Sequence, residues 1–224
     1  MRIIKNSFTR WTRKIFYKTN SSNYQKIFNK IYKQNIWNNS DASIPLSGPG
    51  SSIENTQEIR NEIENFVYSK GVNKIIDLGC GDLTWTTHAK YFIDPNIDYI
   101  GVDVSDYMIK RNHEMFPNKK FMNLDITKDN LPEADLFILR DVIFHLHTDN
   151  VISLFENMKG RFKYIAITSC LNDINNDEFD QWHFSPRNIH IKPFNIQQKY
   201  SSRVEEKTFC REFYLIEHDD FYQT

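Results

Sequence analysis

The sequence predicts an α/β protein: a mostly parallel sheet with helices on both faces, an antiparallel hairpin at one edge, and a helical extension at the N-terminus. Three observations carry this. Short apolar runs alternate with helical stretches from residue 74 to residue 168, the pattern of strands joined by right-handed crossovers. Residues 199–204 and 209–217 instead read as two strands with a short link, an antiparallel pair at the sheet edge. Ahead of both, Ile15, Phe16, Ile27, Phe28, Ile31 and Tyr32 recur at helical spacing among basic side chains.

Size and composition agree with one such domain. A chain of 224 residues with 40% hydrophobic and 25% charged residues can bury a core, and wholesale disorder is excluded. We expect residues 1–50 to form a basic helical extension with a lid loop, and 51–224 to form the domain. The elements follow in order. Residues 40–52 are a Ser-, Gly- and Pro-rich loop, and 53–69 a helix with Ile59, Ile63, Phe66 and Val67 on one face and Gly71 just past its end. Strands are expected at 74–78, 97–103, 121–124, 134–139 and 164–168, with helices at 84–91, 105–115 and 151–158. The stretch 169–195 is a long loop.

Charge is unevenly placed. Residues 1–40 hold nine Lys/Arg and no Asp or Glu, while the remainder carries 19 basic against 29 acidic residues. The extension is either a cap with a solvated basic face or a surface for phosphates or a membrane headgroup layer. The net charge of -1 disfavours a nucleic-acid-coating protein. No apolar run is long enough to span a bilayer, and basic residues interrupt the apolar ones at the start, so no signal-peptide core is visible. The scattered Cys80, Cys170 and Cys210 do not make a disulfide framework or a zinc site. A reducing, cytoplasmic setting is expected, the host cytoplasm for a viral chain.

The strongest motif is Asp77-Leu78-Gly79-Cys80-Gly81-Asp82 at the end of the first strand. Glycines in such a turn let backbone approach a ligand closely. A dinucleotide fingerprint would need a third glycine where Thr84 stands, and Asp77 would repel a diphosphate. An acid suits a cationic ligand such as S-adenosylmethionine, which carries an ammonium group and a sulfonium. Asp103 ends the second strand, where a carboxylate can accept both hydroxyls of a ribose. Asp125 follows the third strand, where its oxygen can accept from an adenine amino group.

Residues 73–169 thus resemble the class I S-adenosylmethionine-dependent methyltransferases, which have a Rossmann-like seven-stranded sheet. The resemblance implies that Asp77, Gly79 and Gly81 line the methionine part, Asp103 the ribose, and Asp125 with Ile126 the adenine. Cys80, Val104 and Arg140 complete the cofactor contacts it implies. Ser47-Gly48-Pro49-Gly50-Ser51 with Thr56 and Arg60, the run from Leu139 to Leu146, and Lys192-Pro193-Phe194-Asn195 resemble a group of small bacterial and viral methyltransferases whose genes accompany glycan synthesis. That implies a sugar acceptor.

Arg140 to His145 follow the fourth strand, where the acceptor is expected. If 141–146 is helical, Asp141 and His145 share a face and could together deprotonate a hydroxyl, optimally somewhat above neutral pH. Alternatively Asp141 caps a turn and His145 is a half-buried core histidine. Trp182, His183, Phe184, Arg187, His190 and Phe194 give the 169–195 loop the composition of an acceptor pocket. Trp182, Arg187 and His190 are the expected acceptor contacts, with Arg187 on a nucleotide-sugar phosphate, and His183 is the second candidate base. No metal is expected. The favoured reading is O-methylation of a sugar or nucleotide-sugar. N-methylation of an amino sugar, nucleic-acid methylation gripped by the basic N-terminal region, and a non-catalytic cofactor-binding subunit are the alternatives. Methyltransferases that act on base amino groups carry Asn or Asp, two prolines and an aromatic after the fourth strand, and Arg140-Asp141-Val142-Ile143 does not match.

Overall fold

The computed structural model describes residues 24–180, 183–197 and 199–222. Seven strands form one sheet in the order β3-β2-β1-β4-β5-β7-β6. Five are parallel: β1 (Lys74–Leu78), β2 (Asp98–Asp103), β3 (Lys120–Asn123), β4 (Leu136–Leu139) and β5 (Tyr164–Cys170). The edge hairpin, β6 (Ser202–Glu206) and β7 (Arg211–Glu217), is antiparallel and joins the sheet through β5. Helices α1 (Tyr24–Lys33), α2 (Gln57–Lys70), α3 (Lys90–Ile93), α4 (Asp106–Met115), α5 (Thr148–Met158) and α6 (His218–Phe221) surround it. The expected fold class is the observed one.

The strands bury both faces, so their apolar residues alternate between two cores rather than between core and water. Ile76, Leu78, Phe137 and Leu139 face one, with α1 and α5. Ile75, Tyr99, Leu136 and Ile138 face the other, with α2. Tyr24, Phe28, Ile31 and Tyr32 of α1 belong to the first core, so the described part of the basic extension is built into the domain. Ile15 and Phe16 lie outside the described residues.

Local signals explain most boundaries. Helix α2 ends at Gly71, whose φ of 64° is the left-handed cap that glycine favours. Ser105 caps α4 by accepting from the Met108 N–H. The expected helix at 84–91 is the main departure. Leu83 is left-handed at φ 61°, Asp82 accepts from the Thr84 N–H in a tight turn, and only a 3-10 turn (Thr86–His88) and the short α3 follow. The β-branched Thr84, Thr86 and Thr87 favour that break in helical geometry.

Gly101 lies inside β2 beneath the site. A Cβ there would come within 2.7 Å of the Phe121 ring and 3.0 Å of Cys80 Sγ. Gly101→Ala should therefore overpack the floor and cost about 1–3 kcal/mol of stability. Denaturant unfolding of both forms checks this; equal midpoints would mean that β3 yields freely.

Candidate functional site

A cavity of about 530 Å³ lies at the carboxyl ends of β1, β2, β3 and β4. The strand order reverses between β1 and β4, and that is where open α/β sheets form a crevice. Gly79 and Cys80 wall it after β1, Asp103 and Val104 after β2, Leu124 to Thr127 after β3, and Arg140, Asp141, Val142 and His145 after β4. Loop 47–51, Trp37, and Tyr24, Phe28 and Tyr32 of α1 cover it.

Asp103 is built as a double acceptor. Its Oδ1 accepts from the Ser105 N–H at 2.8 Å and its Oδ2 from the Gly81 N–H at 3.0 Å, which leaves each oxygen a lone pair for a vicinal diol. Burial pushes its carboxyl up to about 6, against the pull of those backbone donors. Val104, Leu124 and Ile126 give the neighbouring wall an apolar surface for a flat ring. Asp125 lines the same end, with Oδ1 accepting from Thr127 and Oδ2 paired with Lys128 at 3.0 Å.

Two expected contacts move off the wall. Asp77 sits beneath the turn, where Tyr99 donates to its Oδ2 at 2.7 Å, and burial raises its carboxyl to about 6. Gly81 also faces protein: a Cβ there would collide with Ser47 Oγ. Gly79, which does line the cavity, has a φ of 81°, and a Cβ would lie 2.5 Å from Val142. The glycines admit neighbouring protein as well as a ligand.

Loop 47–51, read from the sequence as a lid, is held against the turn after β1. Ser47 Oγ accepts from the Asp82 N–H at 3.1 Å, and the Ser47 N–H donates to Asp82 Oδ2 at 3.3 Å. Arg60 donates to the Ile53 carbonyl and to Thr56 Oγ1, fixing the segment that follows the loop. At the far side Arg140 Nη2 donates to the Gly50 carbonyl at 2.9 Å and to Glu206 Oε1 at 2.8 Å. Arg211 pairs with Glu206 at 2.9 Å and with Asp141 at 2.8 Å, and Arg140 reaches Asp141 at 3.1 Å. Two guanidiniums and two carboxylates thus form a buried quartet.

The acceptor end corrects several expectations. Residues 141–146 are not an α-helical turn: Asp141 is left-handed at φ 58° and a 3-10 turn spans Ile143–His145. The Asp141 carboxylate goes to the arginines, so it does not orient His145. His145 lines the cavity, with Trp37 tilted over it at 4.8 Å between ring centroids. Its Nδ1 lies 2.6 Å from the His183 carbonyl oxygen, which only accepts. Nδ1 therefore carries the proton and the lone pair sits on Nε2. Burial lowers its pKa, with the His183 carbonyl and Asp141 opposing, so the imidazole is neutral at pH 7.

His183 is no base at the cavity: its ring stacks on Phe179 at 4.6 Å away from the wall, and burial beside His145 and His147 lowers its pKa to about 3. Arg187 is fully buried, donating to the carbonyls of Asn176 and Leu146 and to Asp177, so it pins the loop instead of meeting a phosphate. His190 bonds the Ile196 carbonyl at 2.8 Å and packs on Tyr214, also away from the cavity. Trp182 lies outside the described residues. Phe184, named for the acceptor pocket, and Asp82 of the turn motif do line the cavity, and Trp37, Trp85, Asp180, Phe209 and Arg211 line it without having been singled out. Only Arg211 carried a readable signal, as an arginine opening the second hairpin strand opposite Glu206. Among the described residues no cluster of His, Cys, Asp or Glu could hold a metal ion, and no helix is long and apolar enough to cross a membrane.

Comparison with known proteins gives the class. A family model described as a methyltransferase domain matches residues 53–200. The chain belongs to this methyltransferase family, and the cofactor that fold and family carry is S-adenosylmethionine, as the sequence led us to expect. No curated protein matches. Among solved structures the chain is similar to the N-methyltransferase NodS from Bradyrhizobium japonicum WM9, in complex with S-adenosylhomocysteine. That match has 13% identity and a TM-score of 0.59, and covers 83% of this chain and 96% of the other. Magnesium protoporphyrin IX methyltransferase from Synechocystis PCC 6803, with bound S-adenosylmethionine, matches at 12% identity and a TM-score of 0.57, over 88% and 98%. The chain spans about half, 48%, of the O-methyltransferase from the Brevibacillus brevis trans-AT PKS multienzyme, with 61% of this chain covered, 21% identity and a TM-score of 0.48. At these identities the likenesses concern the fold.

The quartet yields a prediction independent of any ligand. Glu206→Ala leaves two buried guanidiniums sharing one carboxylate, which should cost about 3–5 kcal/mol, the usual penalty for breaking a buried ion pair. Chemical denaturation measures it; a loss below 1 kcal/mol would mean that water takes over the freed charges.

Proposed function

We propose that the protein is a methyltransferase that uses S-adenosylmethionine to O-methylate a neutral, polyhydroxylated acceptor, a sugar or the sugar unit of a glycan. The observation that carries this is His145: a neutral imidazole on the cavity wall with its lone pair fixed on Nε2. A sugar hydroxyl is too weakly acidic to attack unaided, and a positioned base contributes typically 10²–10⁴-fold. S-adenosylmethionine supplies an electrophilic methyl on a sulfonium. Asp103 would hold its ribose, Asp125 and Ile126 its adenine, and Gly79, Cys80 and Arg140 would line its methionine end. Phe28, Trp37 and Phe184 offer flat apolar faces for the C–H surface of a sugar.

Cavity charge narrows the acceptor. The walls bear five aspartates (Asp82, Asp103, Asp125, Asp141 and Asp180) against Arg140 and Arg211, and both arginines are spent within the quartet. Among the described residues a phosphate would meet no open cation, which favours a free sugar or glycan unit over a nucleotide-sugar. The same carboxylate excess favours a second reading, N-methylation of an amino sugar.

Incubation with labelled S-adenosylmethionine and panels of sugars, amino sugars and nucleotide-sugars, followed by mass spectrometry, tests the acceptor class. Methyl transfer confined to nucleotide-sugars, or to no sugar at all, would overturn it. His145→Ala should lower turnover by about 10²–10⁴ with S-adenosylhomocysteine affinity nearly intact. A loss under tenfold would leave His145 a packing residue and favour the amine. Because burial lowers its pKa from 6.5, activity should be flat above neutral pH and fall as pH drops below 6.5, in place of the optimum above neutral that the sequence suggested.

The cofactor assignment has its own pH signature. Asp103 must be ionised to accept from both ribose hydroxyls, and burial raises its carboxyl to about 6. Binding favours the ionised form, so S-adenosylhomocysteine should bind more weakly as pH falls through 6 and should release protons there. Calorimetry in buffers of differing ionisation enthalpy reads this. Asp103→Ala should weaken binding by about 1–3 kcal/mol; undiminished affinity would remove Asp103 from the ribose role.

A further inference from the structure

Helix α1 has two unlike faces. Tyr24, Phe28 and Tyr32 face inward and wall the cavity. Lys26, Lys30 and Lys33 are exposed at i, i+4 and i+7 along the opposite side. Helix α4 extends this surface: Lys33 lies over the Tyr107 ring at 5.5 Å, Tyr107 is 37% exposed, and Lys110 is exposed one turn on. The carboxylates here are Asp106, which accepts from Asn29 at 2.7 Å, and the exposed Glu114. The residues that precede α1 add six Lys/Arg and no acid, interleaved with Ile3, Phe8, Trp11 and Phe16.

We propose that this lysine face of α1, with Tyr107 and Lys110, is a docking surface for an anionic lipid bilayer. Cations interleaved with large apolar and aromatic residues suit the bilayer interface, where each lysine near an anionic leaflet adds favourable energy. The charge distribution fits a planar partner. Nine basic residues and no acid occupy positions 1–40, whereas the rest of the chain carries 29 acidic against 19 basic residues. A flat membrane engages one face, and only charges within about a Debye length of it, roughly 8–10 Å at physiological salt, act on it. A nucleic acid long enough to reach around the domain would meet that acidic surface. Because the other face of α1 walls the cavity, docking would set the cavity beside the bilayer. This inference stands whichever acceptor is methylated.

The test is co-sedimentation of the full chain with vesicles of phosphatidylcholine alone and of phosphatidylcholine with one third phosphatidylglycerol, at 0.1 M salt. Binding to the anionic vesicles only is expected, weakening steeply as salt rises. The variant K26Q/K30Q/K33Q should lose on the order of 100-fold in vesicle affinity, while its S-adenosylhomocysteine affinity, the control for folding, is unchanged. Equal binding to both vesicle types, no binding to either, or a loss under threefold in the triple variant would overturn the proposal. Tighter binding to a 30-nucleotide DNA than to the anionic vesicles at the same salt would overturn it in favour of a nucleic-acid surface.

Discussion

The site is organised by one requirement: four buried charges must neutralise one another. The hairpin pairs Glu206 of β6 with Arg211 of β7 in register, so an acid and a base emerge side by side at the sheet edge. The end of β4 presents Arg140 and Asp141 to them. Each charge has lost most of its hydration, with Arg140 and Glu206 side chains 2% and 5% exposed, and each is compensated by two of the others. Removing any one leaves an uncompensated buried charge, far more costly than the net stability of the intact set. The lid inherits this rigidity, because Arg140 also donates to the Gly50 carbonyl. Gly50 is small for the same reason: a Cβ would lie 3.0 Å from Arg211 Nη2 and 3.2 Å from Asp141 Oδ2. One electrostatic constraint thereby ties the N-terminal loop, a central strand end and the C-terminal hairpin into one wall.

The opposite end of the cavity is set by steric close approach. Gly79, Gly81 and Gly101 admit Val142, Ser47 and Phe121 respectively. The turn after β1 is therefore shaped by protein before any ligand arrives, and the two glycines with positive φ hold a backbone that other residues adopt only with strain. Such preformation keeps the Gly81 N–H aimed at Asp103, so the carboxylate is already oriented. A ligand that meets this carboxylate then needs little reorganisation of it, which is how rigid sites avoid an entropic cost.

The sheet and the acids at its carboxyl edge were legible because they rest on local rules. Alternating apolar runs reported the parallel strands, Gly71 reported a helix end, and acids after successive strands fell at the carboxyl edge because the topology puts them there. The acceptor end rested on a rule that failed. The spacing of Asp141 and His145 implies contact only within a helix, and Asp141 adopts a left-handed backbone there. Its partners are the adjacent Arg140 and Arg211, and Arg211 lies 70 residues away in the hairpin, beyond any periodicity argument. Arg187 misled for a related reason. A cation among aromatics reads as a ligand contact, yet this long loop has few regular backbone bonds, and a buried guanidinium satisfies the carbonyls of Asn176 and Leu146 instead. Trp37 and α1 went unassigned to the cavity because their apolar spacing is equally that of a packed cap.

The quartet also decides the chemistry of His145. A carboxylate beside an imidazole ordinarily stabilises the protonated ring, whereas burial stabilises the neutral one. Asp141 lies close enough to act on His145, but its charge already faces two guanidiniums, at 2.8 and 3.1 Å. Desolvation is the largest influence and lowers the imidazole pKa, with Arg211 acting in the same direction and the His183 carbonyl, Asp141 and Asp180 opposing it. The His183 carbonyl then determines where the remaining proton sits, on Nδ1. The loop that bears His183 is itself held by Arg187 through Leu146, the residue next to His145. An arginine outside the cavity thus steadies the ring, and burial keeps the ring unprotonated. Arg140 and Asp141 thus serve two neighbours at once: Arg140 ties loop 47–51 over the cavity, and Asp141, held by the arginines, acts on the imidazole of His145.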